Sequence, residues 1–194
     1  MRAVLFTVIA LSLFYQCSAE ELHYGPGVMA PSEPQQVLVS NIAPFEWEGY
    51  QIKPLARFDI EARVLSKARY RMGREAQLSP IDLALGWGPM SDESVLKDIK
   101  ISQSGRFYHW RAARLPIPAR VISSHSANMH LIPANDEVDR VMKNETRKGS
   151  IVQISGYLVS ISAEDGWRWR SSLSRKDAGK GACELVWVKQ MKVL

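Results

Sequence analysis

The stretch Gly149-Ser150-Ile151-Val152-Gln153-Ile154-Ser155-Gly156-Tyr157-Leu158 decides the fold of this chain. Apolar and polar residues alternate along most of it, and this pattern predicts a β-strand over residues 150–162. Gly156 lies inside that strand, where a residue without a side chain permits a sharp bend. A strand that bends sharply can close a sheet on itself, so the stretch favours a small barrel.

A helix is predicted immediately before this strand. Asn135 is a helix-capping residue, and carboxylates follow it in the first turn, where they favour the positive end of a helix. Val138 and Val141 lie on one apolar side, and Gly149 is expected to end the helix. After the strand, Asp165-Gly166 is a hairpin signal.

Further strands are predicted on both sides of this centre, over residues 57–70, 101–111, 127–132, 167–174 and 182–193. Ser79-Pro80-Ile81-Asp82 resembles a helix start, so a short helix is expected over the apolar residues that follow, and another from Ser91. Gly86–Pro89 is expected to be a rigid turn with Trp87 packed beneath it.

The predicted order is three strands, a helix and more strands, and it resembles the order of the OB-fold. The resemblance covers mainly residues 57–194 and rests on this order and on the strand with Gly156. It implies a mostly β domain over residues 49–194. That domain would be a small Greek-key, OB-like barrel, with one helix between strands 3 and 4, short helical insertions and an extended N-terminal arm.

The first nineteen residues have the layout of a secretory signal peptide. Arg2 is followed by an apolar run, Ala3–Tyr15, and by the small-residue exit Cys17-Ser18-Ala19. The run is shorter than the roughly twenty residues of a membrane-spanning helix. We therefore expect cleavage after Ala19 and a soluble product in the periplasm or the extracellular space. Lipidation of Cys17 is the alternative, but the bulky residues before it fit that processing poorly.

The cysteine count and the net charge are compatible with export, but they exclude few classes of function. The chain has 194 residues, 2 cysteines and a formal charge of +5. Loss of the signal peptide would remove Arg2 and Cys17, which leaves one cysteine and therefore no internal disulfide. An exported domain without disulfides favours a bacterial envelope. The modest positive charge is compatible with a polyanionic partner but does not demand one.

Residues 20–48 are rich in proline and glycine and have no sustained period, so they are predicted to form an extended arm. The arm could add a strand to a partner or to the edge of its own barrel.

The local sequence with the most chemistry is Trp167-Arg168-Trp169-Arg170. Alternate residues of a strand share a face, so the two indole rings project to one side and the two guanidinium groups to the other. The rings could form a stacking platform, but the favoured interpretation is that they fill the barrel core. The candidate ligand-binding residues are Arg168, Arg170, Trp167, Trp169 and, in the next loop, Arg175 and Lys176.

Catalysis has three alternative candidates, His125, His130 and Cys183. A histidine could serve as the base for a cysteine nucleophile, whereas structural roles are the favoured interpretation. The chain has no HExxH, CxxC, GxSxG or phosphate-loop pattern, so no metal and no cofactor is expected. The leading hypothesis is an exported non-catalytic module that binds a polyanion, a glycan or an envelope protein. A small secreted hydrolase is the alternative.

Overall fold

A computed structural model describes residues 21–174 and 183–194. Strand accounts for 46% and helix for 17%, so the predicted mostly β class is confirmed. The strands are β1 (Gln35–Leu38), β2 (Phe45–Trp47), β3 (Tyr50–Arg69), β4 (Ile81–Gly86), β5 (Lys100–Ser104), β6 (Phe107–Arg111), β7 (Ser126–Pro133), β8 (Ile151–Ser162), β9 (Arg168–Arg170) and β10 (Glu184–Val193). The helices are α1 (Arg74–Leu78), α2 (Glu93–Leu96), α3 (Ala119–Ser124) and α4 (Asp136–Arg140), with a 3₁₀ turn at Gly88–Ser91 and a π turn at Val141–Glu145.

Five strands form a ring in the order β3–β4–β7–β10–β8 and back to β3. Neighbours are antiparallel except β7 and β10, which run parallel. The ring closes along β3 and β8, whose pairing extends from Gln51 opposite Ser162 to Arg63 opposite Ile151. Outside the ring, β1 and β2 pair with β3, and β9 pairs with β8.

Two elements differ from the sequence-based prediction. Residues 81–86 form strand β4 instead of a helix, because all six are buried and the strand pairs on both edges, with β3 and β7. A strand covered on both faces reads as a continuous apolar run, which resembles a buried helix. Residues 101–111 form a hairpin, β5–β6, which turns at Gly105-Arg106 and makes a separate two-stranded sheet.

Apolar side chains from every strand of the ring fill its interior. Phe58 is fully buried there, and its replacement by alanine would cost about 3–5 kcal/mol. Trp87 follows β4 and is 1% exposed within the same cluster, as expected for the Gly86–Pro89 turn. The other four strands contribute the buried residues Leu83, Leu131, Ile154 and Val186.

Helix α4 packs its apolar side against this interior cluster. The side chain of Asn135 accepts a hydrogen bond from the N–H of Val138 at 3.0 Å, so the predicted cap is confirmed. The helical segment continues through the π turn and ends at Glu145, short of the predicted end at Gly149. The ammonium group of Lys67 donates to three carbonyl groups at this end, which otherwise lack helical partners.

Residues 88–125 form an insertion between β4 and β7. It contains the 3₁₀ turn, α2, the β5–β6 hairpin and α3. Leu65 on β3 and Ala84 on β4 pack against Met90, Ile99 and Ile122 of the insertion. The insertion therefore covers the outer face of these two ring strands.

The N-terminal arm lies against the same insertion. The carboxylate of Glu93 accepts hydrogen bonds from the N–H groups of Tyr24 and Gly25 at 2.9 and 3.0 Å. It also lies 3.3 Å from Nη2 of Arg63, whose side chain is only 3% exposed. Further along the arm, β1 adds a strand to β3, so the arm extends the sheet of its own domain.

Some predictions fall outside the described residues. These are the signal peptide, residues 1–19 with Cys17, and the loop that contains Arg175 and Lys176. Across the part of the chain that the structure does describe, no helix has the length and apolar character needed to cross a membrane.

Gly156→Ala tests the tight closure of the ring. A Cβ atom at this position would lie 2.0 Å from the carbonyl oxygen of Trp187 on β10, which is backbone and cannot move aside alone. We expect the free energy of unfolding to fall by about 3 kcal/mol, the upper end of the range for overpacking. Urea denaturation of the protein measures this. Gln153→Ala, on the exposed side of the same strand, is the control, and an equal loss in both variants would contradict the assignment.

Glu93→Gln tests the attachment of the arm. The imidazole of His23 and the N–H groups of Tyr24 and Gly25 hold the pKa of Glu93 at about 2, below the ordinary value of 4.5 for a glutamate. The stabilisation from this lowered pKa is fully present above about pH 4.5 and is lost as the pH falls through 2. We therefore expect the difference in unfolding free energy between wild type and Glu93→Gln to shrink over that interval. Urea denaturation from pH 7 to 2 measures it, with Glu164→Gln in an exposed turn as control; a pH-independent difference would contradict the prediction.

Candidate functional site

The Trp-Arg repeat has the predicted alternation. Trp167 and Trp169 are half-buried on one side of the segment, whereas Arg168 and Arg170 are exposed. The favoured interpretation was that the two indoles fill the interior of the ring of strands. They do not. They pack instead against a second apolar cluster, which includes Ile161 and is separate from the interior one, so part of each ring remains at the surface.

Rings and guanidinium groups meet where the β3–β4 loop approaches the β8–β9 hairpin. Arg74, on α1, donates to both carboxylate oxygens of Asp165 at 3.1 and 2.5 Å. Its guanidinium carbon lies 5.2 Å from the centre of the Trp167 ring, within the range of a cation–π contact. The same hydrogen bonds lower the pKa of Asp165. This pair connects the two loops at the surface.

Arg106 makes a second such contact from the tip of the β5–β6 hairpin. Its guanidinium carbon lies 3.9 Å from the centre of the Tyr70 ring and 5.6 Å from that of Trp169. Nη1 donates to Oδ1 of Asp82 at 2.8 Å and to the carbonyl of Ser79 at 3.0 Å. Arg106 has a φ of 70°, a backbone conformation that side chains other than glycine rarely adopt. The buried ion pair therefore holds a strained hairpin tip against β4.

Asp82 also faces His130. The two residues are register partners on β4 and β7, their side chains are 0% and 6% exposed, and Nδ1 of His130 lies 3.0 Å from Oδ2 of Asp82. The two atoms are close enough for an ion pair when the imidazole is protonated, but they are not aligned as a hydrogen bond. The imidazole also contacts the Trp169 ring, with the ring centres 5.0 Å apart.

Cys183 lies beside this group. Its Sγ atom is 3.9 Å from Nδ2 of Asn128 and 3.8 Å from the carbonyl oxygen of Arg106. Asn128 in turn accepts a hydrogen bond from Gln103 at 2.6 Å. Asn128 and His130 alternate along β7, so the thiol and the imidazole belong to one face of the sheet.

His125 is not part of this group. It ends α3, where its Nδ1 atom contacts the carbonyl of Val121 at 3.0 Å and its ring packs against Gly88. The structure thus places two of the three alternative catalytic residues, His130 and Cys183, on one face of the sheet, and it places the third, His125, at the end of α3. Arg175 and Lys176 lie in the segment that is not described, so their relation to these residues stays a prediction.

Sequence reasoning missed Arg74 and Asp165 at the contact of the two loops, and it missed Asp82, Arg106 and Asn128 around His130 and Cys183. The sequence pattern places Asp82 in the first turn of a helix, although a single acid inside an apolar run also indicates a buried charge that needs a partner. No local signal identifies Arg106 as that partner.

Within residues 21–174 and 183–194, no group of three or more histidine, cysteine, aspartate or glutamate side chains could hold a metal ion. Comparison of the chain with protein-family models, with curated proteins and with solved structures finds no match.

Asp82→Asn and Asp165→Asn form a matched test of the two arginine–carboxylate pairs. We expect Asp82→Asn to lower the free energy of unfolding by about 3 kcal/mol, because it removes the buried counter-charge of Arg106 and leaves only the exposed carboxylate of Glu75, 3.6 Å from Nε. The Asp165 pair is exposed, so Asp165→Asn should cost less than about 1 kcal/mol. Urea denaturation at pH 7 measures both, and similar losses in the two variants would contradict the assignment.

Proposed function

We propose that this protein is an exported, non-catalytic binding module built on an OB-like barrel. The order of the ring supports the barrel assignment. The five strands, taken in chain order as 1 to 5, are arranged 1–2–3–5–4 around a closed ring, with strands 3 and 5 parallel and a helix between strands 3 and 4. We take this order, together with the position of the helix, as support for an OB-like barrel.

The place where the loops meet supports a binding role. OB-folds bind oligonucleotides and oligosaccharides across the face of strands 2 and 3 and the loops that join strands 1–2 and 4–5. The corresponding strands here are β4 and β7, but their residues are mostly buried and the insertion packs over β4, so the surface left for a ligand is formed by the two loops. These loops supply Arg74 and the indole rings of Trp167 and Trp169. The observation that carries the proposal is the contact of these loops through Arg74, Trp167 and Asp165.

The side chains at this loop surface favour a ligand that is a polymer of flat or ring-shaped units with acidic groups. Half-exposed aromatic rings stack on flat ligand units, and exposed guanidinium groups pair with acidic groups. Trp169 supplies a ring, and Arg168 and Arg170 supply exposed charges. Because the signal peptide predicts a location among envelope polymers, we propose an acidic glycan strand as the ligand.

Salt dependence is the direct test of this proposal. Binding of a labelled polygalacturonate oligomer, followed by fluorescence anisotropy, should weaken steeply as salt rises, because cations on the protein release counterions on binding. Arg168→Ala/Arg170→Ala should reduce the slope of log K against log salt by about 2. Arg114→Ala/Arg120→Ala, an exposed pair in the insertion, should leave the slope unchanged. Binding of polygalacturonate that does not depend on salt, or no binding at all, would overturn the proposal. Tighter binding of a single-stranded oligonucleotide would identify nucleic acid, and not a glycan, as the ligand.

A small secreted hydrolase is the second candidate function, and the contact between Asp82 and His130 beside Cys183 favours it. Asp82 would orient the imidazole, and His130 would take the thiol proton. The resulting thiolate would attack a carbonyl carbon and form a thioester as the leaving group departs with that proton. Water would then cleave the thioester and restore the thiol.

His130→Ala and Cys183→Ala test the hydrolase, with His125→Ala as the matched control outside the group. If this candidate is correct, both substitutions lower kcat/KM on an ester substrate by about 10³-fold or more, and His125→Ala leaves it unchanged. Loss of one reactive thiol equivalent on treatment with iodoacetamide should abolish the same activity. An inactive wild-type protein, or activity retained in Cys183→Ala, excludes this candidate.

A further inference from the structure

A cavity of about 530 Å³ lies between the arm, β3 and the insertion, away from the Trp-Arg surface. Its volume is within the range of small-molecule sites. The arm contributes one wall through His23, whose Nδ1 atom lies 2.5 Å from Oε1 of Glu93 on α2. The cavity is therefore closed on one side by a segment whose attachment is polar.

The base of the cavity is apolar. Leu65 and Ile99 lie at its bottom and are 2% and 6% exposed, and Leu96 and Ile101 form half-buried walls. All four belong to the apolar cluster under the insertion. A hydrocarbon group placed here would leave water and contact these side chains, with a gain of about 0.8 kcal/mol per buried CH₂.

The mouth of the cavity is cationic. Lys97, Lys100 and Arg111 line it and are exposed, and within the described part of the chain none of them has an acidic partner. The charge of Arg63 is already paired with Glu93, and that of Lys148 with Glu21. The cavity therefore combines three positive charges at its mouth with an apolar base, and an anionic group at the mouth would pair with these charges.

We propose that this cavity binds an amphiphilic anion, an alkyl chain with an acidic head group. The chain lies on Leu65 and Ile99, and the head group pairs with Lys97, Lys100 and Arg111. A purely polar anion would leave the apolar base exposed to water, and a neutral hydrocarbon would leave the three cations unpaired. The site is independent of the glycan surface and of the residues around Cys183.

Calorimetry with single-chain probes below their micelle concentrations tests the proposal on the mature protein. We expect dodecanoate to bind at least ten times more tightly than dodecanol, because only the carboxylate pairs with the lysines. Dodecyl phosphate is the second acidic arm: preference for it indicates a phosphate head group, and preference for dodecanoate indicates a free fatty acid. Binding of neither acid overturns the proposal.

Matched charge reversals test the position of the site. Lys97→Glu/Lys100→Glu should weaken dodecanoate at least tenfold, whereas Lys53→Glu/Lys192→Glu, which makes the same change at two exposed positions elsewhere, should weaken it less than twofold. Ile101→Trp should fill the cavity and abolish binding while thermal unfolding stays cooperative. Equal losses in the two charge variants, or unchanged binding in folded Ile101→Trp, place the ligand elsewhere and overturn the proposal.

Discussion

The pairing of β3 with β8 is the constraint on which the other elements depend. β3 is 20 residues long. It pairs with β8 to close the ring, and it also pairs with β1 and β2 of the arm. Its residue Leu65 packs under the insertion. Such a long strand cannot stay straight in a small ring. Shifts of register near Pro54 and near Val64 break its regular pairing, and bulges of this kind bend a strand and increase its twist. The interior then closes around Phe58 without an exposed seam in the ring.

Local pattern predicted the elements in which one face is buried. β8 alternates, α4 has a cap, and the Trp-Arg segment has a period of two, so each was correct within a few residues. β4 has no period because both faces are covered, and its single acid, Asp82, imitated a helix start. The β-forming residues 101–111 predict a strand of the ring, whereas they form the separate β5–β6 hairpin. The two errors compensate in the count of strands, which is why the order still resembled the observed ring.

The candidate site was less accessible to sequence reasoning, because its members come from positions far apart in the chain. Alternation identified Trp167 and Trp169 as neighbours, but only tertiary structure shows that they pack outside the ring. Residue type alone identified His130 and Cys183 as candidates, but it did not indicate that they lie on the same face of the sheet. The partner of Asp82 is Arg106, on a hairpin tip whose strained backbone is held by this ion pair. The residues next to Arg106 in the sequence do not indicate that its guanidinium group pairs with a buried carboxylate.

The position of β10 bears on when the domain can form. Of the described strands, β10 follows the other nine in sequence, yet it lies between β7 and β8, so both lack one neighbour until β10 joins the sheet. Contacts of such sequence separation form slowly and cost loop entropy first. The ring therefore stays open between β7 and β8 until β10 pairs with both, and the buried interior forms only at that step.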